Sequence, residues 1–223
     1  MLAATRIHIP EDRYLLTAAL PASKPLLQNI DLRRSAEYLD AINLVAYDFC
    51  GSWSPRTGHH AQLYAVGKDE HSGAAGVQHL MASGVPGKKI LFGIPLFGRS
   101  FLHVSGPGHK NRGAGGEDGT FEYSALPRRG AKEQIDKRAG AAQCVGGDGG
   151  FVTYDNPDTV KMKAVFCKQK GLGVCILPSW CLSASLGADS SVGQGLYYWS
   201  APSDAKDNKR SLITAGFRAL HSS

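Results

Sequence analysis

The sequence has no apolar run that approaches the roughly 20 residues of a membrane-spanning helix. Its first residues, MLAATRIHIPEDRY, lack the apolar stretch of a signal peptide, so we expect either an intracellular protein or a start that lies upstream, and the compartment stays open. The five cysteines are odd in number and have no short paired spacing, which favours neither a zinc site nor a dense disulfide framework. With 43% hydrophobic and 20% charged residues, a globular protein is the expected class.

Positive charge is in modest excess, but it is not concentrated anywhere. Lys and Arg number 25 against 19 Asp and Glu, which gives a net charge of +6. The basic pairs are scattered, at positions 33–34, 88–89, 128–129 and 209–210, and no nucleic-acid recognition motif accompanies them. We therefore expect a solvated surface, with neither nucleic acid nor a membrane as a partner.

Residues 41–53, AINLVAYDFCGSW, combine a buried strand with polar groups at its end. The nearly continuous apolar run at positions 42–46, which only Asn43 interrupts, is typical of a parallel strand that is buried on both faces. Tyr47 and Asp48 follow where the strand gives way to a loop, and the C-terminal ends of parallel strands are where binding and chemistry gather. Taken alone, the pair has a plainer interpretation, a strand end with a helix-capping Asp.

Strands and helices alternate along most of the chain, which predicts parallel βα units and an α/β fold. The predicted helices begin near positions 29–32, 74, 156 and 209–213, and the third of these ends at Gly171. The predicted strands span residues 13–20, 42–49, 89–96 and 195–199. Residues 101–150 break the alternation, because they are dense in glycine and have poor hydrophobic periodicity.

Four separated motifs, INLVAYDF, GSWSPRTGHHAQLY, KILFGIPLFGRSF and FVTYDNPDTVKMKAVFCKQKGLG, resemble the C-terminal half of a glycoside hydrolase family 18 chitinase, in the family's order. The resemblance implies a partial (β/α)8 TIM barrel, its last four βα units, formed by residues 1–100 and 151–223. Residues 101–150 then correspond to the small α+β insertion domain that many members carry. The implied activity is hydrolysis of β-1,4 bonds between N-acetylglucosamine units of chitin or chitooligosaccharides, with no cofactor and no metal.

The resemblance also implies a role for each site residue. Tyr47 resembles the tyrosine that hydrogen-bonds the attacking acetamido group of the substrate, and Asp48 resembles the acid that holds the sugar nearby. Arg99 matches the arginine at a strand end, with Phe97 in place of the family's Tyr, although a surface arginine paired with a carboxylate is the plain alternative. Trp199 matches the tryptophan under the cleaved sugar, whose apolar face stacks on the ring.

The loop after the Tyr47–Asp48 strand holds Trp53 and the adjacent pair His59 and His60. Two adjacent histidines in an extended chain point to opposite sides and make a poor metal site. We expect loop packing or sugar contact from this loop, with Trp53 as the substrate-binding residue.

Residues 174–192 interrupt the family pattern. Pro178 would lie inside a central strand, where proline is disfavoured, and the pattern resumes at Gly193. Codons for the ends of this segment can supply a splice donor, a branch site and an acceptor, so we predict a retained intron. If the segment is native instead, Trp180 competes with Trp199 for the position under the sugar.

The family's general acid lies in a strand of the form Asp-x-x-Asp-x-Asp-x-Glu, and no such motif occurs in the sequence. The chain is expected to begin at the strand that follows it, and therefore to be inactive alone. A chitin-binding, lectin-like protein is the alternative, and a fragment without a settled fold is a third interpretation. Strands left at the edges of an open barrel also predict self-association.

Overall fold

The computed structural model describes residues 1–9, 14–67, 71–147, 149–173 and 195–222. The predicted insert at residues 174–192, and Trp180 with it, lies outside the described residues. The described residues form a mixed α/β protein with one parallel and one antiparallel sheet. Its helices, over these same ranges, are all too short or too polar to cross a membrane.

The parallel sheet is built from four strands that are far apart in the sequence. They lie side by side in the order β1-β2-β3-β9: β1 (Thr17–Pro21), β2 (Ala41–Val45), β3 (Ile90–Pro95) and β9 (Leu196–Trp199). Each overlaps one of the predicted strands. The predicted end of β2 at Phe49 is wrong, because Asp48 has a φ of 59°, a left-handed conformation that is incompatible with an extended strand. Tyr47 and Asp48 thus follow β2 instead of ending it.

The described helices are α1 (Leu2–His8), α2 (Lys24–Leu27), α3 (Leu32–Tyr38), α4 (Gly73–Ala82), α5 (Pro157–Lys170) and α6 (Leu212–His221). Helix α5 has the ends that the sequence predicts. Asn156 accepts a hydrogen bond from the backbone N–H of Thr159, whose hydroxyl accepts one from the N–H of Asn156. Gly171 ends the helix with a φ of 62°, the left-handed conformation that glycine adopts readily.

The antiparallel sheet is formed by one continuous part of the chain. Its strands are β4 (Phe97–Phe101), β5 (Thr120–Glu122), β6 (Lys132–Asp136), β7 (Ala141–Val145) and β8 (Phe151–Tyr154), in the spatial order β5-β4-β8-β7-β6. The sheet therefore runs from Phe97 to Tyr154 and extends beyond both ends of the range 101–150. The division of the chain into domains stays a prediction.

The chain passes from the parallel to the antiparallel sheet through a single residue, Leu96. Its N–H donates to the carbonyl of Trp199 in β9 at 2.6 Å, and its carbonyl accepts from the N–H of Tyr123 at 3.0 Å. The Leu96 side chain is fully buried. The parallel sheet and the turn after β5 therefore both bind this residue, which fixes the start of β4 against the C-terminal edge of the parallel sheet.

A buried ion pair also connects the end of the antiparallel sheet with helix α5 and the loop after β2. Asp155, which follows β8, pairs with Lys163 of α5, and both side chains are fully buried. Lys163 Nζ also donates to the carbonyl of Ala61 in the loop after β2, at 2.6 Å, and the hydroxyl of Thr159 donates to Asp155 at 2.8 Å. Burial lowers the pKa of Lys163, while the charge of Asp155 opposes that shift. Such a pair is tolerated inside a protein only when both charges are paired and hydrogen-bonded.

Candidate functional site

One cavity, with a volume of about 620 Å³, lies where the ends of β2 and β9 meet the start of β4. Four of the predicted site residues line it, together with residues of the β4–β5 connection and β5: Asp48, Phe97, Arg99, Gly116, Glu117, Thr120, Phe121, Glu122, Ala125 and Trp199. Tyr47 and Trp53 are not part of this lining, but each contacts a residue that is. The structure thus brings together all six residues predicted from the sequence.

The carboxylate of Asp48 is held from one side. Its Oδ1 accepts a hydrogen bond from Arg99 Nε at 2.8 Å, and Nδ1 of His60 lies 3.6 Å from the same oxygen. Burial alone would raise the pKa of Asp48, but His60 and Arg99 outweigh it and lower the pKa to about 2. Asp48 is therefore ionised at neutral pH and can accept hydrogen bonds from a ligand.

Tyr47 lies outside the cavity lining and packs edge-on against Phe97, which lines the cavity, with ring centroids 5.9 Å apart. Burial raises the pKa of Tyr47, the neighbouring Tyr197 opposes the shift, and the charge of Asp48 adds to it. The phenol therefore keeps its proton at neutral pH and can act as a hydrogen-bond donor.

Arg99 lies between two aromatic rings. Its guanidinium carbon is 4.8 Å from the ring centroid of Trp53 and 5.2 Å from that of Phe97. Only 14% of its side chain is exposed, which differs from the surface arginine that was the alternative interpretation. Stacking on two rings and pairing with Asp48 fix the guanidinium in one orientation.

Two tryptophans near the cavity expose much of their surface to solvent. Trp199 is 61% exposed at the end of β9, and Trp53 is 59% exposed in the loop after β2. The ring of Trp53 lies against Gly51, where a Cβ atom would come within 2.4 Å of it, so glycine at this position allows the contact. Exposed indole faces beside a cavity are suited to stack on a flat, partly apolar ligand.

His60 is the site residue that the sequence analysis did not identify as such. Both histidines of the pair are buried, but their partners differ: His60 faces Asp48, whereas His59 contacts Thr153 at 3.0 Å and Asp136 at 3.5 Å. This agrees with the loop-packing interpretation and leaves neither ring open to direct sugar contact. The alternation of adjacent side chains predicts two directions, but no pattern in the sequence indicates which histidine meets the carboxylate.

The site combines one carboxylate acceptor, one phenol donor, a fixed guanidinium and an exposed indole face. This set of groups is suited to a ligand that has several hydroxyl or amide donors and an apolar face. In the parts of the chain that the structure describes, no group of three or more His, Cys, Asp or Glu side chains could hold a metal ion.

Two solved structures of chitinases have a fold similar to that of this chain. A class V chitinase from Nicotiana tobaccum has a TM-score of 0.76 and 25% identity, over 99% of this chain and 60% of that one. A chitinase of family GH18 from Cycas revoluta, solved in complex with (GlcNAc)3, has a TM-score of 0.69 and 27% identity, over 98% of this chain and 57% of that one.

Sequence comparison gives the family directly. Chitinase 1 of Aphanocladium album is 36% identical over 197 residues, which are 82% of this chain and 46% of that protein. Sporulation-specific chitinase 2 of Saccharomyces cerevisiae is 29% identical over 236 residues, which are 95% of this chain and 42% of that protein. The chain thus spans less than half the length of these relatives. The model of the glycosyl hydrolases family 18 matches residues 1–179, and the chain belongs to that family.

Proposed function

We propose that this chain forms the sugar-binding wall of a family 18 chitinase, on the last four βα units of a (β/α)8 barrel. The order β1-β2-β3-β9 supports this arrangement, because consecutive strands of such a barrel are spatial neighbours and are separated by helices. The position of the cavity supports it too, since binding sites of these barrels lie at the C-terminal ends of the strands. The antiparallel sheet is then the insertion domain that follows the seventh strand.

The observation that carries the proposal is the fixed carboxylate of Asp48 beside the exposed ring of Trp199, in one cavity. Trp199 would stack under the apolar face of a sugar ring, and Trp53 would contact the sugar chain at the side of Arg99. Asp48 would accept hydrogen bonds from the sugar, and the Tyr47 phenol would donate to the oxygen of its acetamido group. The substrate class is chitin or chitooligosaccharide.

The proposed chemistry of the parent enzyme is substrate-assisted hydrolysis with retention. The acetamido oxygen attacks the anomeric carbon while a glutamic acid protonates the leaving oxygen, so family 18 needs no second protein carboxylate as nucleophile. Tyr47 would orient the acetamido group for this attack. The sequence contains no Asp-x-x-Asp-x-Asp-x-Glu motif to supply the acid. Loss of a general acid costs on the order of 10²–10⁴-fold in rate, so this polypeptide alone should bind sugar without cleaving it.

Two measurements on the purified chain test this proposal. Release of a fluorescent aglycone from a chitotriose substrate should not exceed the blank, and clear release contradicts the predicted inactivity. Calorimetric titration with (GlcNAc)4 should show binding, and Trp199→Ala should weaken it by about tenfold or more, because the stacking surface is lost.

Trp180 supplies the matched control for that titration. Trp180→Ala should leave the affinity unchanged if Trp199 is the residue under the sugar. The reverse result, in which only Trp180→Ala weakens binding, would give that position to Trp180 and require the last strand to be redrawn. Absence of binding by the wild-type chain overturns the sugar-binding proposal itself.

A lectin-like, non-catalytic protein is the alternative that the missing acid motif favours, because it needs the same cavity and no acid. Binding without cleavage is expected in both cases. The DNA upstream of the Met1 codon separates them: an open frame that encodes the acid motif supports the enzyme, and a diverged frame without the Glu supports the lectin.

A further inference from the structure

The imidazole of His60 is fully buried, yet no described residue hydrogen-bonds either of its ring nitrogens. Nδ1 lies 3.6 Å from Oδ1 of Asp48, which is just beyond hydrogen-bonding distance. Buried polar groups without a partner are uncommon and costly, so the two ring nitrogens of His60 call for an explanation.

The position of His60 is fixed by groups other than its own nitrogens. Its backbone carbonyl accepts from the N–H of Phe49 at 3.0 Å, and Lys163 Nζ binds the carbonyl of the next residue, Ala61, at 2.6 Å. The ring itself packs on Phe97, with centroids 5.2 Å apart. Since Phe49 directly follows Asp48, these contacts keep the imidazole beside the carboxylate.

The charged groups that act on His60 come from three elements: Asp48 after β2, Arg99 in β4 and Asp155 after β8. Burial lowers the pKa of His60, the two carboxylates oppose this shift, and Arg99 adds to it. The imidazole is therefore neutral at pH 7 and carries one ring proton, on either Nδ1 or Nε2.

We infer that His60 is a positioning residue for the Asp48 carboxylate, and that its ring proton is on Nδ1. Oδ1 would then face two donors, Arg99 Nε and His60 Nδ1, while Oδ2, which no described residue hydrogen-bonds, stays available to the sugar. A small movement of either side chain closes the 3.6 Å gap to a hydrogen bond. The inference rests on the proposed sugar-binding function.

The arrangement gives sugar binding a defined response to pH. When the pH falls and His60 gains its second proton, a full positive charge faces Asp48 in addition to Arg99. The carboxylate is then drawn toward two cations and becomes a weaker acceptor for the hydroxyl and amide donors of a sugar. Affinity for (GlcNAc)4 should therefore decrease as the pH falls through the lowered pKa of His60, below the ordinary range of an imidazole.

The location of the ring proton can be measured without a ligand. Long-range ¹H–¹⁵N spectra of the imidazoles distinguish the two neutral tautomers, and replacement of His60 assigns its signals. We expect the Nδ1–H tautomer at pH 7.5, and a changed signal in Asp48→Asn, which removes the negative acceptor. An Nε2–H tautomer, or spectra that Asp48→Asn leaves unchanged, overturns the inference.

The effect on binding is tested with two variants that separate hydrogen bonding from titration. His60→Asn keeps a side-chain N–H near the position of Nδ1 but does not titrate. Its affinity should therefore stay within about twofold of wild type at pH 7.5 and should not show the wild-type decrease on acidification. His60→Leu fills similar space without a donor and should weaken binding about tenfold, as expected for the loss of one hydrogen bond to a charged group.

His59→Asn is the matched control, because His59 contacts Thr153 and Asp136 and not Asp48. Its affinity and its pH response should remain those of wild type. If His60→Leu binds (GlcNAc)4 as wild type does, the positioning role is wrong even though sugar binding stands. If the wild-type chain fails to bind, the proposed function is wrong, and the tautomer alone decides whether His60 is paired with Asp48.

Discussion

The two sheets of this protein end in different kinds of edge strand. The antiparallel sheet ends in β6, whose sequence KEQID has three charged residues, and in β5, which is only three residues long. The parallel sheet ends in β1, TAALP, and in β9, LYYW, neither of which has a charged side chain. Charged or very short edge strands resist pairing with another chain, whereas uncharged ones permit it. Partner strands are therefore expected at the parallel sheet.

The sheets also supply different chemical groups to the site. The parallel sheet side contributes the phenol of Tyr47 and the carboxylate of Asp48, which follow β2, and the indole of Trp199 at the end of β9. The antiparallel sheet contributes the guanidinium of Arg99 and the ring of Phe97, both within β4. Neither sheet contains a complete site, so the proposed sugar binding would depend on how firmly the two sheets are held together.

The largest expected effect is on association. The chain expressed alone should be oligomeric or poorly soluble in light scattering, because β1 and β9 each pair with one strand only within the described residues. Ala19→Lys places a charge on the exposed side of β1 and should shift the protein toward monomer. Gln134→Lys, on the exposed side of the already charged β6, is the control and should change nothing. A sharp wild-type monomer peak with a cooperative thermal transition contradicts this prediction.

The next largest effect is expected from breaking the buried ion pair between Asp155, after β8, and Lys163 of α5. Lys163→Met leaves Asp155 buried without its cation and should lower the free energy of unfolding by about 3–5 kcal/mol in denaturant titrations. Lys161→Met makes the same substitution on the exposed side of α5 and should cost about 0.5 kcal/mol or less. Equal losses of unfolding free energy in the two variants would show that the buried ion pair does not stabilise the contact between the antiparallel sheet and α5.

A smaller effect is expected from Asp48, and it depends on pH. The pKa of Asp48 is lowered from 3.8 to about 2 in the folded protein, so the ionised group stabilises the fold above pH 3.8. This contribution should be lost as the pH falls toward 2. The difference in unfolding midpoint between wild type and Asp48→Asn should therefore decrease over this range. A difference that stays constant from pH 4 to pH 2 contradicts the assignment.

The smallest effect is expected from deleting residues 174–192. The N–H of Gly195 donates to the carbonyl of Gly173 at 3.1 Å, so the described residues on either side of the predicted insert already meet. The deletion leaves Gly193 and Gln194 between them, and the existing hydrogen bond then closes a four-residue β-turn. The free energy of unfolding should change by about 0.5 kcal/mol or less.

Two results of the deletion experiment would contradict the prediction that residues 174–192 are an insert. Loss of the folded state, or of (GlcNAc)4 binding by an otherwise folded variant, would show that the segment belongs to the native protein. Sequencing of spliced messenger RNA gives the same answer independently, since reads that continue through the segment exclude a retained intron.

The parallel sheet could be predicted from the sequence because its signals are local. Apolar runs mark β2 and β3, and Asn156 and Gly171 mark the ends of α5 within a few residues of themselves. Helix α1 could not be predicted in this way, since it has only seven residues, none of them fully buried, and it contacts the hydrophobic core through Leu2.

The antiparallel sheet and the position of His60 beside Asp48 depend on contacts that are distant in sequence. Strand β4 pairs with β8 about fifty residues later, with Arg99 opposite Thr153, and such register is not encoded in either short strand. The approach of His60 to Asp48 likewise depends on Lys163, which fixes the loop from a hundred residues away. The resemblance to the family supplied Arg99 and Trp199, but it offered no signal for His60.

The junction at Leu96 also bears on how such a protein can be re-engineered. Residues 97–154 form one continuous cassette in sequence terms, since they begin one residue after β3 and end shortly before α5. Arg99 lies inside that cassette, whereas its carboxylate partner Asp48 lies outside it. A chimera that exchanges the cassette for a donor's would therefore inherit the donor's guanidinium together with its loops. Selection of donors should begin with the residue at the position of Arg99, and only then consider the length of the loops.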